Sequence, residues 1–173
     1  MTLTTTPGAS TADAYASLAA ALAYHAAMGN AGWASAVDAD RETALRRATK
    51  WIDATYRKRW IGFRVNGRAQ PLDWPQTGVF DRDGFAVDST TIPDEVVNAT
   101  CEAALRELTT PGMLLPDYVP AERVKTASAG PVSITYADSK DATDVLPILA
   151  VVEGILSRLI YGDNRALGGA LTI

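Results

Sequence analysis

Spaced by their apolar residues, the first hundred positions divide into helical stretches around a long, turn-rich crossover. Tyr15, Leu18, Leu22 and Ala26 recur every three or four residues, the mark of one buried helical face, in an alanine-rich segment that Ser10 or Thr11 can cap with Asp13 in the first turn. Gly29-Asn30 ends that helix, and Trp33 is placed to fold back onto it. A second helix is expected from Asp38 or Asp40 to about Arg57, with Ala44, Leu45, Ala48, Ile52 and Tyr56 as its stripe and Trp51 beside it. Trp60 to Val65 alternates imperfectly as a short strand, and Asn66-Gly67 is a hairpin turn signal. A third helix opens after Ile92-Pro93 with Asp94 and Glu95 at its positive end, and sets Val97, Cys101, Ala104, Leu105 and Leu108 on one face.

The crossover and third helix together, Pro71 to Leu108, form the stretch around which the chain is organised. Trp74-Pro75, Thr77-Gly78 and Asp83-Gly84 are turn signals, and Trp74, Val79, Phe80 and Phe85 are expected to pin the irregular backbone to the core. Asp81-x-Asp83-Gly84 has half the oxygen ligands of a calcium loop and reads as a turn. Beyond a linker, residues 122 to 137 read as two strands around Ala129-Gly130. A fourth helix starts at Asp141 to Asp144, and its apolar residues from Val145 to Ile160 cover nearly the whole circumference, the pattern of a helix buried on all sides. The expected organisation is a flexible arm at 1–9, one domain at 10–161 and a tail at 162–173.

Composition narrows the chemistry. A length of 173 residues suits one domain with a real core. One cysteine, Cys101, excludes an internal disulfide framework, and His25 as the only histidine removes the usual parts of zinc, haem and Ser-His-Asp sites. Cys101 reads as a small buried residue, and His25 as a satisfied histidine near a helix C-terminus. The start lacks a signal peptide, and the longest apolar run is interrupted and short for a bilayer, so a cytoplasmic protein with no membrane partner is expected. The net charge of −4 hides an asymmetry: residues 41–68 hold nine basic against two acidic residues, while the remainder holds seven against eighteen. Such polarity suits a partner of either sign, including a second copy.

Arg46, Arg47, Lys50, Arg57, Lys58, Arg59 and Arg64 are the candidate subunit-facing or channel-facing basic patch. With Trp51, Tyr56 and Trp60 as stacking platforms, the same segment offers a single-stranded-DNA-binding reading. Carboxylate pairs at Asp81 and Asp83, or at Asp138, Asp141 and Asp144, are explained by turns and helix starts, and no enzyme is expected.

Trp74-Pro75-x-Thr77-Gly78, then Asp81-x-Asp83-Gly84, then Ile92-Pro93-x-x-Val96-x-x-Ala99-x-x-Glu102-x-Ala104 resembles the head-to-tail connector (adaptor, or head-completion) proteins of tailed bacteriophages, some of which are labelled DnaT-like single-stranded-DNA-binding proteins. The resemblance extends to the Asp13-Ala14-Tyr15 helix, Trp33, the Ala44 to Asp53 helix, the Val124 to Tyr136 hairpin and the last apolar helix. It implies a mainly α fold: a bundle of about four helices with a β-hairpin insertion and an irregular aromatic-rich crossover. It also implies a ring of twelve copies that docks under the portal protein, meets a tail-completion or tail-terminator protein and passes double-stranded DNA, with no cofactor, metal or catalytic residue. The protein would be made in the host cytoplasm and reside in the virion. Leu167, Gly168, Gly169, Ala170, Leu171, Thr172 and Ile173 are the expected portal contact, docking as an added strand. Trp74, Pro75, Asp83, Gly84 and Pro93 are the structural residues of the crossover.

Overall fold

A computed structural model describes residues 2–115, 126–129, 132–135 and 147–161. Its architecture is mainly helical: α1 (Leu18–Ala27), α2 (Ala31–Ser35), α3 (Asp38–Tyr56), α4 (Asp94–Thr109) and α5 (Ala150–Leu156), with two small two-stranded sheets. β1 (Phe63–Arg64) pairs antiparallel with β2 (Gln76–Thr77). β3 (Thr126–Ala129) pairs antiparallel with β4 (Val132–Thr135) in the register Thr126 to Thr135 and Ala129 to Val132, the hairpin that the alternation from Val132 to Tyr136 led one to expect.

α3 is the axis. Leu45, Ala48, Trp51, Ile52 and Tyr56 are wholly buried along it, as their spacing predicts. Asp40, Thr43 and Arg47 in its first half meet Glu107 and Leu108 at the end of α4, so the two helices run antiparallel. α4 turns Val96, Ala99, Thr100, Ala103 and Glu107 fully inward together with Cys101 and Ala104, while Val97, Leu105 and Leu108 only flank the core. Its buried face is thus rotated from the expected stripe. Small residues at 99, 103 and 104 let α3 and α4 approach closely.

α1 corrects the sequence reading. It begins at Leu18, where the Ser17 hydroxyl caps the N–H of Ala20 at 3.1 Å. Residues 10–17 are non-helical, because Asp13 accepts the Thr4 N–H at 2.7 Å and binds Arg46, while Ala12, Ala14, Tyr15 and Ala16 are buried. The inward face of α1 is Ala21 and His25; Leu22 is exposed. Among so many alanines, apolar spacing could not identify that face. Trp33, in α2, does fold back and lies 4.4 Å from the His25 ring, and His25 Nδ1 meets the Asn30 amide at 3.1 Å. In the arm expected at 1–9, Thr4 and Gly8 are tied down, the first by its bond to Asp13 and the second by Asn66 Nδ2 donating to Gly8 O at 2.9 Å.

The crossover is held by polar side chains as well as by Trp74. The Trp74-Pro75 peptide is cis, and Trp74 and Val79 are buried. Phe80 and Phe85, expected in the core, are 58% and 71% exposed: they sit on a tight turn in which Asp81 Oδ1 accepts the N–H groups of Asp83 and Phe85, and Gly84 has φ +88°. The turn points them outward. Asn66-Gly67 does not make a two-residue hairpin but enters a 3₁₀ turn, Gly67–Ala69, before the chain returns at β2. Two buried glutamines replace the missing ladder. Gln70 Nε2 donates to Leu72 O and Pro75 O, and Gln76 Oε1 accepts the Gly62 N–H at 3.1 Å while its Nε2 donates to Asp73 O.

Gly62 is where this packing is tightest. A Cβ there would overlap Val79 Cγ2 and lie 2.6 Å from Thr77 O, a backbone atom that cannot swing away. Gly62→Ala is expected to cost about 1–3 kcal/mol, read as a lower urea midpoint with an unchanged slope.

α5 is one-sided. Val152 and Leu156 are buried beside Leu159 and Ile160, whereas Ile148 and Val151 face outward, so the expectation of a helix apolar and buried all round fails. A seven-residue helix laid on α4 has one inner face and no more. Its expected start, Asp141 to Asp144, lies outside the described residues, as does the tail at 162–173. A bridge between Trp60 and Ile160 ties the end of α5 to the chain leaving α3.

Candidate interaction surfaces

The basic residues of α3 and of the chain that follows it are mostly committed within the fold. Arg46 Nε binds Asp13 Oδ2 at 2.7 Å, Arg47 binds Glu107 at 2.8 Å and Arg57 binds Asp73 at 3.1 Å. Arg59 grips both carboxylate oxygens of Glu153, at 2.6 and 3.0 Å, and lies over the Tyr56 ring. Arg64 donates to Gln70 O at 3.0 Å. Lys50 and Lys58 have no hydrogen bond or ion pair among the described residues. The charge asymmetry is therefore used largely as internal bracing.

The proposed stacking platforms are unavailable. Trp51 and Tyr56 are wholly buried and Trp60 is 7% exposed; they form with Trp74 a run of edge and tilted ring contacts at 5.5 to 6.0 Å. A base cannot reach them without opening the core. Tyr56 lies on the inward stripe of α3, so the sequence itself carried this warning.

Beneath the α3 cations lies a polar junction that periodicity did not reveal. Asp53, 5% exposed, accepts a short hydrogen bond from the Tyr15 hydroxyl and the Asp73 N–H at 3.2 Å, and the same hydroxyl accepts the Trp74 N–H at 3.1 Å. Burial, with the nearby Asp73 charge, pushes the Asp53 carboxyl up to about 7. The Thr49 hydroxyl oxygen accepts the Tyr15 N–H at 3.2 Å. The available signal was Asp53 standing between Thr49 and Tyr56 on a buried stripe. Cys101 is wholly buried and burial pushes its thiol up to about 12, which removes it as a nucleophile.

What the molecule does present is apolar surface at both ends of α3. Besides Leu22, Leu115, Ile148 and Val151, exposed elsewhere, Met28 and Val37 are exposed on the chain leading into α3, and Phe63, Val65, Phe80, Phe85 and Tyr161 beyond its end. Nineteen helical residues separate the two groups, roughly 28 Å. At the second end Arg59, Arg82, Arg158 and Tyr161 line a cleft of about 430 Å³. A further cleft of about 470 Å³ lies along the side of α3, between Arg46, Lys50 and Arg57 and the apolar wall of Ala54, Pro71 and Leu72. Among the described residues no group of three metal-ligating side chains occurs, and no helix is long and apolar enough to cross a membrane. Leu167 to Ile173 lie outside the described residues.

A family model described as "Putative DnaT-like ssDNA binding protein" matches residues 1–171, nearly the whole chain. No curated protein and no solved structure matches it.

Proposed function

The chain belongs to the DnaT-like ssDNA binding protein family, and within it we propose a structural role: a subunit of a ring that docks on a phage portal, connects capsid to tail and extends the DNA channel. The observation that carries this reading is the apolar surface at both ends of α3. A connector subunit must touch neighbouring copies and also the assemblies above and below it, and exposed apolar side chains suit such contacts. Connector motifs in the crossover support the reading. So does the consumption of α3 arginines in ion pairs, because a channel wall that held DNA tightly would hinder its passage. On this reading the protein is not an enzyme, needs no cofactor and resides at the capsid-tail junction of the virion. The ring has twelve copies, meeting the portal through Leu167 to Ile173 and a tail-completion protein on the other side.

One observation favours a second reading, binding of single-stranded DNA: exposed Phe63, Phe80, Phe85 and Tyr161 share one end with Lys58, Arg82 and Arg158, and aromatics interleaved with cations are what such binding uses. Asp81, Asp83 and Asp88 on the same surface repel phosphate and weigh against it. Electron microscopy of the protein mixed with its portal is expected to show a ring seated on the portal. A fluorescence titration with a labelled oligonucleotide is expected to show only weak, salt-sensitive binding. Tight binding by a monomer at physiological salt, with no ring alone or on the portal, would reverse the order of the two readings.

A further inference from the structure

The aromatic turn at 80–86 and the cleft beside Lys50 are different surfaces of one molecule, and each lacks what the other has. Phe80 and Phe85 stand out from the turn, with Gly84 and Ala86 as small neighbours of Phe85, and neither ring lines the cleft of its own chain. Between them the Asp83 carboxylate has no partner among the described residues; Asp81 is spent on the turn's own N–H groups. The cleft has the converse composition. Ala54, Pro71 and Leu72 give it an apolar wall, and its volume of about 470 Å³ has room for a phenyl ring. Arg46 and Arg57 at its two ends are held by Asp13 and Asp73, while Lys50, on the same helical face between them, has no partner among the described residues.

We propose that the 80–86 turn of one copy seats in the Lys50 cleft of the next, with an aromatic ring against the apolar wall and Asp83 paired with Lys50. The proposal rests on the ring reading and deepens it by naming the two mating surfaces. The contact is heterologous, so repetition generates a closed ring or an open chain and not a two-fold dimer. An acidic peptide from an unrelated protein could satisfy Lys50 alone, but the cleft pairs a cation with an apolar wall and the turn pairs an acid with aromatics, which favours a second copy as occupant.

The test uses charge exchange at two exposed positions. Lys50→Glu and Asp83→Lys should each fold normally by circular dichroism and each weaken self-association at least about tenfold by sedimentation. An equimolar mixture should restore it, because the acidic turn of the first variant meets an unaltered Lys50 and the basic turn of the second meets a glutamate. If the wild-type chain associates and the single variants match it, or the mixture fails to recover, the proposed contact is wrong while the ring reading stands. A wild-type chain that stays monomeric at every concentration and on the portal overturns both.

Discussion

Replacing Trp74 with alanine is expected to lower the unfolding free energy by about 3–5 kcal/mol, among the largest effects any single residue here can give. Trp74 is 1% exposed, packs edge-on against Trp60 with ring centroids 5.5 Å apart, and through its backbone N–H binds the Tyr15 hydroxyl. Its removal leaves a cavity where the crossover, the chain leaving α3 and the N-terminal segment converge, and the crossover cannot collapse into it without breaking the glutamine braces. Domains are stable by only about 5–15 kcal/mol, so urea unfolding should show a midpoint reduced by about a fifth or more. Trp74→Phe should be much milder, since the indole N–H has no partner among the described residues and an aromatic face is retained. A normally stable, ring-competent Trp74→Ala protein would show that the crossover is not the scaffold described.

Stability is also expected to depend on pH in a direction set by Asp53. Its carboxyl titrates at about 7 in the fold against an ordinary value of 3.8, because burial, and secondarily the charge of Asp73, penalises its ionised form. Between those two values the folded chain holds a proton that the unfolded chain has released. Its contribution is therefore fully present below pH 3.8, lost progressively as pH rises through about 7, and absent above that. The loss is at most about 4 kcal/mol, at about 1.4 kcal/mol for each pH unit of displacement. Paired carboxylates such as Asp13, which Arg46 and the Thr4 N–H hold below the usual range despite some burial, act in the opposite sense. The decisive measurement is therefore a difference: subtracting the urea stability of Asp53→Asn from that of the wild type at pH 5 and pH 8 should give a value that falls with pH. A difference that is flat or rises with pH would mean that the Tyr15–Asp53–Asp73 junction holds an ionised carboxylate comfortably.

α3 was legible in the sequence because a polar helix with one apolar stripe has a single way to face a core, and Leu45, Ala48, Ile52 and Tyr56 spell that stripe out. α1 was not, since alanine is equally at home on either side of a helix, and the decisive fact was a long-range bond from Asp13 to Thr4. The crossover was legible as a crossover, from its Pro and Gly pairs, but Phe80 and Phe85 were misplaced because hydrophobicity alone cannot tell an anchoring aromatic from a presented one. Turn chemistry decided it. The basic cluster was visible by counting; its neutralisation by Glu107, Asp73 and Glu153 depended on residues 16 to 94 positions away. Clefts are made by elements distant in sequence, and nothing in local spacing announces the one beside Lys50.

The glutamine braces have one more consequence. Gln70 and Gln76 fix the backbone between Gly62 and Gln76 by side-chain bonds that stay inside the crossover itself. The aromatic turn follows that segment and is closed by bonds of its own, from the Asp83 and Phe85 N–H groups to Asp81 Oδ1 and from the Val87 N–H to Val79 O. Its approach to a partner consequently requires little ordering of a floppy loop, and the conformational entropy that usually taxes association has already been surrendered during folding. On the proposed docking, a small contact made by such a projection is worth more than its area suggests.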